Sequence, residues 1–547
     1  MPPSDPILAL ARRLFGYRSL RPGQREAVES ASTGRDTLVV MSTGSGKSAI
    51  YELAGVRLGG PTVVISPLLA LQRDQLAALE DRGHVVAVAV NSAEPARERR
   101  RVLEQLTGGN RPDFVFLGPE QLADADVLHR LTAVSPTLLA VDEAHLVSRW
   151  GPDFRPDYLR LGAAIEALGR PIVLALTATA APPVREEIVD RLGMRDPAVV
   201  VRGFGRANIE LAAHSYFTDD AHKVDVLTDD AVAAVRERGH GIVYGATHRR
   251  VESLAAQLQQ RGLRVAPYHA GLRDSARNDV EARFHGGELD VVVATIAFGM
   301  GVDKPDIRWV FHADVSGSVD EYYQEFGRAG RDGGPAQATL YFRTEDLRLP
   351  TMYASRVGPS PKSLAAVAET LAAGAGTLAD VREGAGLSRE RTGATVMALA
   401  DAGGVSVDAD GRVAVLGDLD DAVTGAARLI RTRRRIEQTR TEMMGAYVRH
   451  LGCRWNFLLE YFGEPAGDRC GHCDNDRRSD QNADDSDGRH PFPRGSRVHH
   501  QVFGDGEVIG YAGRAVLLEF DRVGYKRLDI GLVLDGDLLH PVESKGS

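Results

Sequence analysis

The chain has 547 residues, too many for one hydrophobic core, so its length predicts several domains. Its 43% hydrophobic and 26% charged residues are the composition of an ordinary globular protein. No apolar run reaches about eighteen residues and the N-terminus lacks the layout of a signal peptide, so we expect a cytoplasmic protein without a membrane partner. The net charge of −9 gives no support for nucleic-acid binding by the surface as a whole, although local basic grooves remain compatible with it.

Short apolar runs rich in Val, Leu and Ile alternate with helical patterns in two successive stretches of the chain. Such runs are typical of buried parallel strands. We therefore predict the fold class α/β, with one domain over 1–205 and another over 206–350 that could hold a ligand between them. The predicted strands lie at 37–41, 62–66, 114–118, 138–143 and 172–179, and then at 241–247, 264–270, 290–295 and 309–314.

The rest of the chain divides into four smaller units. Residues 361–416 show three short helical patterns and two strand-like runs, which is the outline of a winged helix; an alanine-rich helical packing module is the alternative. Residues 420–476 are predicted to be helical, and 477–493 are polar and charged, as in a disordered linker. Residues 494–547 combine alternating runs with glycine-rich turns, which predicts a small β-barrel.

The segment MSTGSGKS (41–48) lies between a predicted strand and a predicted helix. Glycines in such a loop let backbone N–H groups surround phosphates, the lysine reaches the β- and γ-phosphates, and the final hydroxyl can bind Mg²⁺. Met41 stands where the strict pattern G-x4-G-K-[ST] has glycine, which is a mild departure. The predicted phosphate-binding residues are Thr43, Gly44, Ser45, Gly46, Lys47 and Ser48.

Two further segments carry groups suited to phosphate chemistry. The run LLAVDEAH ends a predicted strand in two carboxylates, and after a phosphate loop this predicts that Asp142 holds Mg²⁺ through water while Glu143 activates the attacking water. The run QEFGRAGRDG (324–333) carries Arg328 and Arg331. We predict that both arginines lie on one face of a helix and point into the interdomain cleft, where guanidinium groups stabilise charge on the γ-phosphate.

These segments resemble, in order, the motifs of the RecQ family of superfamily 2 DNA helicases, over about residues 10–345. The resemblance implies two RecA-like domains with ATP bound between them. It also implies stacking of the adenine on Tyr17 and bidentate hydrogen bonds to it from Gln24. The motifs are LFGYRSLRPGQ, MSTGSGKS, ISPLLALQRDQ, VDEAHLVSRWGPDFRPDY, LALTATA, YHAGL, ATIAFGMGVDKPDIRWVFH and QEFGRAGRDG. The implied nucleotide residues outside the phosphate loop are Tyr17, Arg21, Gln24, Gly299 and Asp303, and Gln324 is the implied addition to the catalytic set.

The stretch SRWGPDFRPDY (148–158) is similar to the aromatic-rich loop that couples DNA binding to ATP hydrolysis in this family. Trp150 and Phe154 offer faces for base stacking, and Arg155 can contact a phosphate. These three residues are the predicted contacts to single-stranded DNA. A core tryptophan under a loop is the alternative.

The run CRWNFLLEYFGEPAGDRCGHCDND resembles the RecQ zinc-binding module, which normally has four cysteines. The chain has only three, Cys453, Cys470 and Cys473, and Asp476 stands at the fourth position. The predicted zinc ligands are therefore three thiolates and one carboxylate. His472 is the alternative fourth ligand, and a zinc-free helical hairpin is the alternative to a metal site.

Two departures from the family concern the C-terminal half. The winged-helix-like stretch precedes the zinc module, and nothing resembles the terminal helicase-and-RNase-D-like domain. The last unit instead resembles the Tudor-like tail of UvrD/PcrA helicases, which implies docking to a protein such as RNA polymerase or a repair factor, or to DNA. That pattern is carried by Val498, His500, Phe503, Gly504, Gly506 and Val508.

The residues and the resemblances predict an ATP- and Mg²⁺-dependent helicase that translocates on single-stranded DNA, 3′ to 5′ by family analogy. We expect it to unwind duplex DNA in repair or recombination, to bind ATP, Mg²⁺ and Zn²⁺, and to associate with the nucleoid. Two alternatives stay open. One is an RNA-directed or non-unwinding translocase, and the other is a motor recruited to transcription machinery through its C-terminal barrel.

Overall fold

The computed structural model describes two α/β domains, a helical region and a C-terminal antiparallel sheet. Among the described helices, none combines the length and the apolar character needed to cross a membrane. The described residues are 5–42, 45–67, 69–82, 84–90, 96–108, 111–147, 161–216, 219–298, 304–408, 411–477, 491–492, 496–512, 515–520 and 524–542.

The first domain contains a sheet of seven parallel strands: β1 (Thr37–Met41), β2 (Thr62–Ile65), β3 (Ala87–Val90), β4 (Phe114–Leu117), β5 (Leu138–Val141), β6 (Ile172–Thr177) and β7 (Ala198–Arg202). Their order is β3-β4-β2-β5-β6-β1-β7. In this register Val39 of β1 pairs with Leu176 and with Val200. Because all the strands are parallel, the loops that follow β1, β5 and β6 meet at one edge of the sheet, where open α/β sheets bind ligands.

Eight helices accompany this sheet in the described part of the first domain. The first of them buries Ile7, Ala11 and Phe15, which recur every four residues, and it ends at Gly16 in the left-handed conformation. Two short 3₁₀ segments, Pro119–Ala123 and Ala144–Val147, complete the domain. The helices are α1 (Pro6–Phe15), α2 (Gln24–Ser32), α3 (Ser48–Leu58), α4 (Leu69–Arg82), α5 (Ala96–Thr107), α6 (Ala125–Val134), α7 (Leu161–Ala167) and α8 (Pro182–Arg191).

The second domain repeats the plan with six parallel strands: β8 (Ile209–Ser215), β9 (Gly241–Tyr244), β10 (Val265–Tyr268), β11 (Val291–Ala294), β12 (Trp309–His312) and β13 (Ala336–Phe342). Their order is β10-β11-β9-β12-β13-β8. The helices are α9 (Asp220–Arg238), α10 (His248–Gln260), α11 (Asp274–His285), α12 (Val319–Phe326) and α13 (Arg348–Ser355), with a 3₁₀ turn at Thr344–Leu347.

The two sheets contain four strands that the sequence patterns did not predict, namely β3, β7, β8 and β13. Three of them, β3, β7 and β8, lie at the edges of their sheets. Edge positions are partly exposed, as the burial of β3 and β7 shows. Polar residues interrupt β8 (IELAAHS) and β13 (AQATLYF), so neither gives the continuous apolar run that marks a fully buried strand.

The region after the second domain has its own small hydrophobic core. Three helices, α14 (Pro361–Ala372), α15 (Leu378–Ala385) and α16 (Arg389–Asp401), precede an antiparallel hairpin of β14 (Val405–Val407) and β15 (Val413–Val415). The 31-residue helix α17 (Leu419–Arg449) then connects this unit to the second domain, because Ala422, Ala426 and Ile430 belong to the small core and Met444 and Tyr447 to the main one. Helix α18 (Arg454–Tyr461) follows.

The C-terminal unit is a five-stranded antiparallel sheet of β16 (Arg497–His500), β17 (Gly504–Ala512), β18 (Ala515–Phe520), β19 (Gly524–Asp529) and β20 (Leu539–Pro541), with a helix at Ile530–Asp535. The order is β19-β18-β17-β16-β20. Phe492, which the sequence assigned to a linker over 477–493, is buried in the core of this unit. The linker therefore ends earlier than predicted, and most of it lies outside the described residues.

One hydrophobic cluster runs through the first domain, the second domain and residues 453–476, which carry the predicted zinc ligands and are called the zinc-binding segment below. At its centre the ring of Phe204, between the two domains, stacks on Phe462 with ring centroids 4.3 Å apart. Tyr323 of the second domain packs against both rings at 5.3 and 5.0 Å. The segment after α18 is thus part of the core that joins the two α/β domains.

Candidate active site and metal centre

The phosphate loop connects the end of β1 to the start of α3. Gly46 has a φ of +78°, and a Cβ atom there would meet Gln24 Nε2 at 2.8 Å, so the loop requires glycine at this position. The Lys47 ammonium donates hydrogen bonds to the carbonyls of Met41 at 3.1 Å and Ser42 at 3.3 Å. Its charge therefore lies beside the phosphate loop, and its contact with phosphate stays a prediction. Thr43 and Gly44 lie outside the described residues.

Gln24 is almost fully buried and connects its own segment to the phosphate loop. Its amide nitrogen donates to the carbonyls of Ser45 at 3.0 Å and Gly46 at 2.9 Å, and its oxygen accepts from the Arg21 N–H at 2.7 Å. Tyr17 donates its hydroxyl proton to Glu52 at 2.8 Å. These contacts place the residues assigned to adenine beside the loop, and their contact with the base stays a prediction.

The acidic pair follows β5, and its backbone is held by a hydrogen bond from the Asp142 N–H to the Ile65 carbonyl at 2.8 Å. Glu143 has a φ of +49°, a strained conformation for a residue with a side chain and one that recurs at functional sites. Burial and the neighbouring Glu143 charge raise the pKa of Asp142 to about 6, against the opposing charge of Lys47. Burial also acts to raise the pKa of Glu143, but His145, Lys47 and Arg328 outweigh it and lower that pKa to about 2. Glu143 is thus held as a carboxylate.

A chain of polar contacts leads from Glu143 to the second domain. His145 Nδ1 lies 3.3 Å from Glu143 Oε2 and 2.9 Å from Thr177 Oγ1. The Thr177 hydroxyl donates to the Thr179 carbonyl at 3.0 Å, and Gln324 Nε2 of the second domain donates to the Thr179 hydroxyl at 2.8 Å. Gln324 was assigned to catalysis from the sequence. The two threonines were not assigned a role, although they lie in the LALTATA motif.

The predicted placement of Arg328 and Arg331 on a helix is wrong. Helix α12 ends at Phe326 and both arginines lie in the turns that follow it. Gly330 has a φ of +56°, which a continuing helix does not allow. The turn is held instead by Arg206, whose guanidinium donates to the carbonyls of Gly327, Ala329 and Gly330.

The turns over residues 327–334, called the arginine turn below, nevertheless face the phosphate loop and the acidic pair, Asp142 and Glu143. The charge of Arg331 lowers the pKa of Lys47, in addition to burial, and the charge of Arg328 lowers that of Glu143. A cavity of about 340 Å³ lies between the domains, and both domains and the linker between them contribute to its walls. Its lining includes Arg21, Ser42, Ser45, Gly203, Arg206, Asn208 and Arg331. Neither Arg206 nor Asn208 lies in a recognisable motif, so the sequence alone does not point to them.

Besides Thr43 and Gly44, five residues with predicted roles in binding cannot be placed. Gly299 and Asp303, assigned to the nucleotide, and Trp150, Phe154 and Arg155, assigned to DNA, lie outside the described residues. Their roles stay predictions.

The predicted zinc ligands Cys453, Cys470, Cys473 and Asp476 come together, with their ligand atoms all within 4.8 Å of one another. Cys470 Sγ lies 3.1 Å from Asp476 Oδ2, and backbone N–H groups donate to Cys453 Sγ at 3.3 Å and to Cys473 Sγ at 3.4 Å. Burial raises the pKa of the Cys470 and Cys473 thiols. Three thiols and one carboxylate converge here, and backbone N–H groups donate to two of the sulfurs. This arrangement fits a tetrahedral Zn²⁺ site.

His472 is not part of this group. Its Nδ1 atom lies 2.6 Å from the carbonyl oxygen of Cys470, so the ring is engaged with its own loop. The geometry favours Asp476 as the fourth ligand, which is the assignment preferred from the sequence.

We predict that Asp476→Cys retains zinc and holds it about tenfold more tightly against a chelator, because a fourth thiolate is a softer ligand than a carboxylate. Asp476→Ala is expected to weaken zinc retention by about tenfold or more, because three ligands remain. Elemental analysis and chelator competition measure both effects. His472→Ala is the matched control and is expected to leave zinc unchanged; loss of metal in that variant alone would reverse the assignment.

Comparisons with known proteins agree with this arrangement. Three family models match the chain: DEAD/DEAH box helicase over residues 21–188, helicase conserved C-terminal domain over 222–333, and RecQ zinc-binding over 421–477. The solved structure of the DUF1998 helicase MrfA bound to DNA matches with a TM-score of 0.54 at 17% identity, covering 78% of this chain and 64% of that one. This likeness concerns the fold alone.

Sequence relatives identify the family. The probable ATP-dependent DNA helicase RecS of Bacillus subtilis is 39% identical over 62% of this chain and 67% of that protein. The ATP-dependent DNA helicase RecQ of Pasteurella multocida is 36% identical over 63% of this chain, and the match covers 54% of the relative, little more than half of its length. With two tandem RecA-like domains and the zinc-binding segment in place, the chain belongs to the RecQ family of ATP-dependent DNA helicases.

Proposed function

We propose that this chain hydrolyses ATP between its two α/β domains in order to move along single-stranded DNA, 3′ to 5′, and to unwind duplex DNA in repair or recombination. The observation that carries the proposal is the interdomain cavity. Residues of the phosphate loop and of the arginine turn both line it, although they are far apart in the chain. The charges of Arg331 and Arg328 also reach Lys47 and Glu143, respectively. A site shared by two domains lets ATP binding and release change the relation between them.

In this proposal the side chains act on the triphosphate as follows. Lys47 and the phosphate loop bind the β- and γ-phosphates. Glu143, held as a carboxylate, accepts a proton from the attacking water. Arg328 and Arg331 bind the γ-phosphate oxygens as charge develops on them. Gln324, through its hydrogen bond to Thr179, connects the second domain to the residues around Glu143.

Ser48 and Asp142 are the proposed Mg²⁺ ligands. Both offer oxygen atoms, which Mg²⁺ prefers, and the Asp142 carboxylate is buried next to a second carboxylate, where a cation offsets the repulsion. When bound, Mg²⁺ neutralises charge on the phosphate oxygens. Ser48 stands at the first position of α3, directly after Lys47.

The C-terminal half is proposed to contain two further units. Three helices followed by a hairpin support a winged-helix-like insertion over 361–416. The antiparallel sheet over 497–541 supports a Tudor- or SH3-like barrel that binds a protein partner such as RNA polymerase or a repair factor. A pull-down with residues 491–547 tests the second assignment, since this unit has its own core, which includes Phe492.

Trp150→Ala is expected to reduce DNA-stimulated ATP hydrolysis much more than the basal rate. Loss of one stacking contact should raise the DNA concentration for half-maximal stimulation by about tenfold. ATP turnover with and without single-stranded DNA measures the effect. Equal losses in both rates would indicate a folding defect, and an unchanged stimulation would contradict the assignment of this loop.

Strand displacement on forked, tailed and blunt duplexes tests the proposed function as a whole. We expect ATP-dependent unwinding of substrates with a 3′ single-stranded tail and little unwinding of blunt duplexes. ATPase stimulation by DNA and by RNA of the same sequence is measured in parallel. Stimulation by DNA without strand displacement would identify a non-unwinding translocase, and stronger stimulation by RNA would identify an RNA-directed motor.

A further inference from the structure

The segment between the two α/β domains is part of the wall of the nucleotide cavity. It connects the end of β7 at Arg202 to the start of β8 at Ile209. Gly203, Gly205, Arg206 and Asn208 all line the cavity. We call residues 203–208 the interdomain linker. Because four of its residues line the cavity, its conformation helps to set the shape of the cavity.

Residues in the middle of the zinc-binding segment hold one side of this linker. The Glu464 carboxylate accepts hydrogen bonds from the N–H groups of Gly203 at 3.2 Å and Phe204 at 2.9 Å. Phe462 stacks on Phe204, with an angle of 10° between the rings, and Trp455 Nε1 donates to the carbonyl of Ile209 at 3.1 Å. Both ends of the linker are therefore held by residues that lie between the proposed zinc ligands Cys453 and Cys470.

The other side of the linker holds the arginine turn. Arg206 donates to the carbonyl of Gly327 at 3.3 Å, of Ala329 at 2.9 Å and of Gly330 at 2.8 Å. Asn208 Nδ2 also donates to the Gly330 carbonyl, at 2.8 Å, and to that of Gly334 at 2.9 Å. A guanidinium that binds three carbonyls of one turn fixes the turn's shape, and this turn carries the arginines proposed to bind the γ-phosphate.

The linker on its own is poorly suited to holding the arginine turn in one position. Gly203, with a φ of +78°, and Gly205 flank Phe204, and glycine gives the backbone more freedom than any other residue. Holding such a segment in one conformation has an entropic cost that its contacts must offset. Glu464 and Phe462 supply those contacts from outside both α/β domains.

We propose that Glu464 and Arg206 are positioning residues that connect the zinc-binding segment, through the interdomain linker, to the arginine turn. The metal fixes the loop that carries Glu464, Glu464 fixes Gly203 and Phe204, and Arg206 fixes the turn that presents Arg328 and Arg331 to ATP. This inference rests on the proposed function only in assigning ATP hydrolysis to the cavity. The physical connection exists independently of that assignment.

Kinetics of single and double variants test the connection. Glu464→Ala and Arg206→Lys are each expected to lower kcat for ATP by about tenfold with little change in KM, because misplaced arginines affect the transition state more than binding. Residues that act through one linker are not additive, so the double variant should fall about as far as the more damaging single variant. Glu460→Ala, an exposed carboxylate on α18, is the matched control and should retain full activity. Multiplied losses in the double variant would overturn the proposal.

Hydrogen–deuterium exchange supplies a readout that does not depend on activity. In Glu464→Ala at wild-type zinc content, exchange should become faster in peptides covering 203–208 and also in those covering 326–334, which Glu464 does not touch. Wild-type protein treated with a chelator should show the same pattern. Unchanged exchange over 326–334 in both cases would overturn the proposal.

Two further cases are a Glu464 variant that does not fold and a wild-type protein without ATPase activity. If Glu464→Ala does not fold, Glu464→Gln, which keeps one acceptor oxygen, takes its place and should show a smaller change in the same peptides. If the wild-type protein hydrolyses no ATP, the proposed function fails, while the exchange measurements still decide whether the linkage exists.

Discussion

Replacing Lys47 with alanine is expected to lower ATP turnover by about a hundredfold or more while single-stranded DNA binding persists. The Lys47 ammonium lies at the mouth of the phosphate loop, held by the carbonyls of Met41 and Ser42, and its charge interacts with those of Asp142 and Glu143. Loss of one preorganised cationic donor to a phosphate in a water-poor site costs about 100- to 1,000-fold in rate. Steady-state ATP hydrolysis and fluorescence-based DNA binding measure the two effects.

Lys362→Ala is the matched control for Lys47→Ala, because that lysine is exposed on α14 and lies outside the cavity. It should retain wild-type turnover. Ordinary turnover in Lys47→Ala would remove the assignment of the phosphate loop, and loss of DNA binding with unchanged turnover would reverse the proposed division between nucleotide and DNA contacts.

Cys470→Ser is expected to release zinc and to destabilise residues 453–476 together with the junction between the two α/β domains. Thiolates supply most of the affinity for zinc, and metal binding in such sites contributes directly to folding. The effect should reach beyond the metal because Phe462 and Trp455, in the same segment, belong to the core that joins the domains. Zinc content, thermal unfolding and limited proteolysis measure the change.

Asp468→Ser is the control in the same loop, since Asp468 is exposed and is not among the grouped ligand atoms. It should keep both zinc and the wild-type melting temperature. If Cys470→Ser lost zinc but melted like the wild type, the segment would be held by packing alone and the metal would have no structural role.

Several parts of this protein follow from local sequence because the chemistry itself is local. A phosphate loop needs glycines and a lysine within a few residues, as in MSTGSGKS, and parallel strands buried on both faces give apolar runs such as TLVVM. The resemblance to the RecQ zinc-binding module placed Asp476 at the position of its fourth ligand, with His472 as the alternative. The two-domain α/β plan was predictable for the same reason.

The edge strands and the arginine turn were not predicted, for different reasons. Strands β3 (AVAV) and β7 (AVVVR) are apolar runs that could have been identified from the sequence, although both are partly exposed at the sheet edges. The sequence around Arg328 and Arg331 has helical spacing, but Gly330 adopts a left-handed conformation and Arg206 takes up the carbonyls of the turn. The glycines at 327, 330, 333 and 334 already disfavour a helix there, and Arg206, more than a hundred residues away, fixes the shape of the turn.

The sequence by itself determined which groups could bind phosphate, activate water and hold zinc, because each of those sets is encoded in a short segment. Only the tertiary structure decided how they cooperate. Glu464, Phe204 and Arg206 belong to no motif, and their contacts join residues separated by more than 100 positions. Such contacts depend on how sheets, helices and the zinc-binding segment pack around one shared core, and no local pattern of residues records that packing.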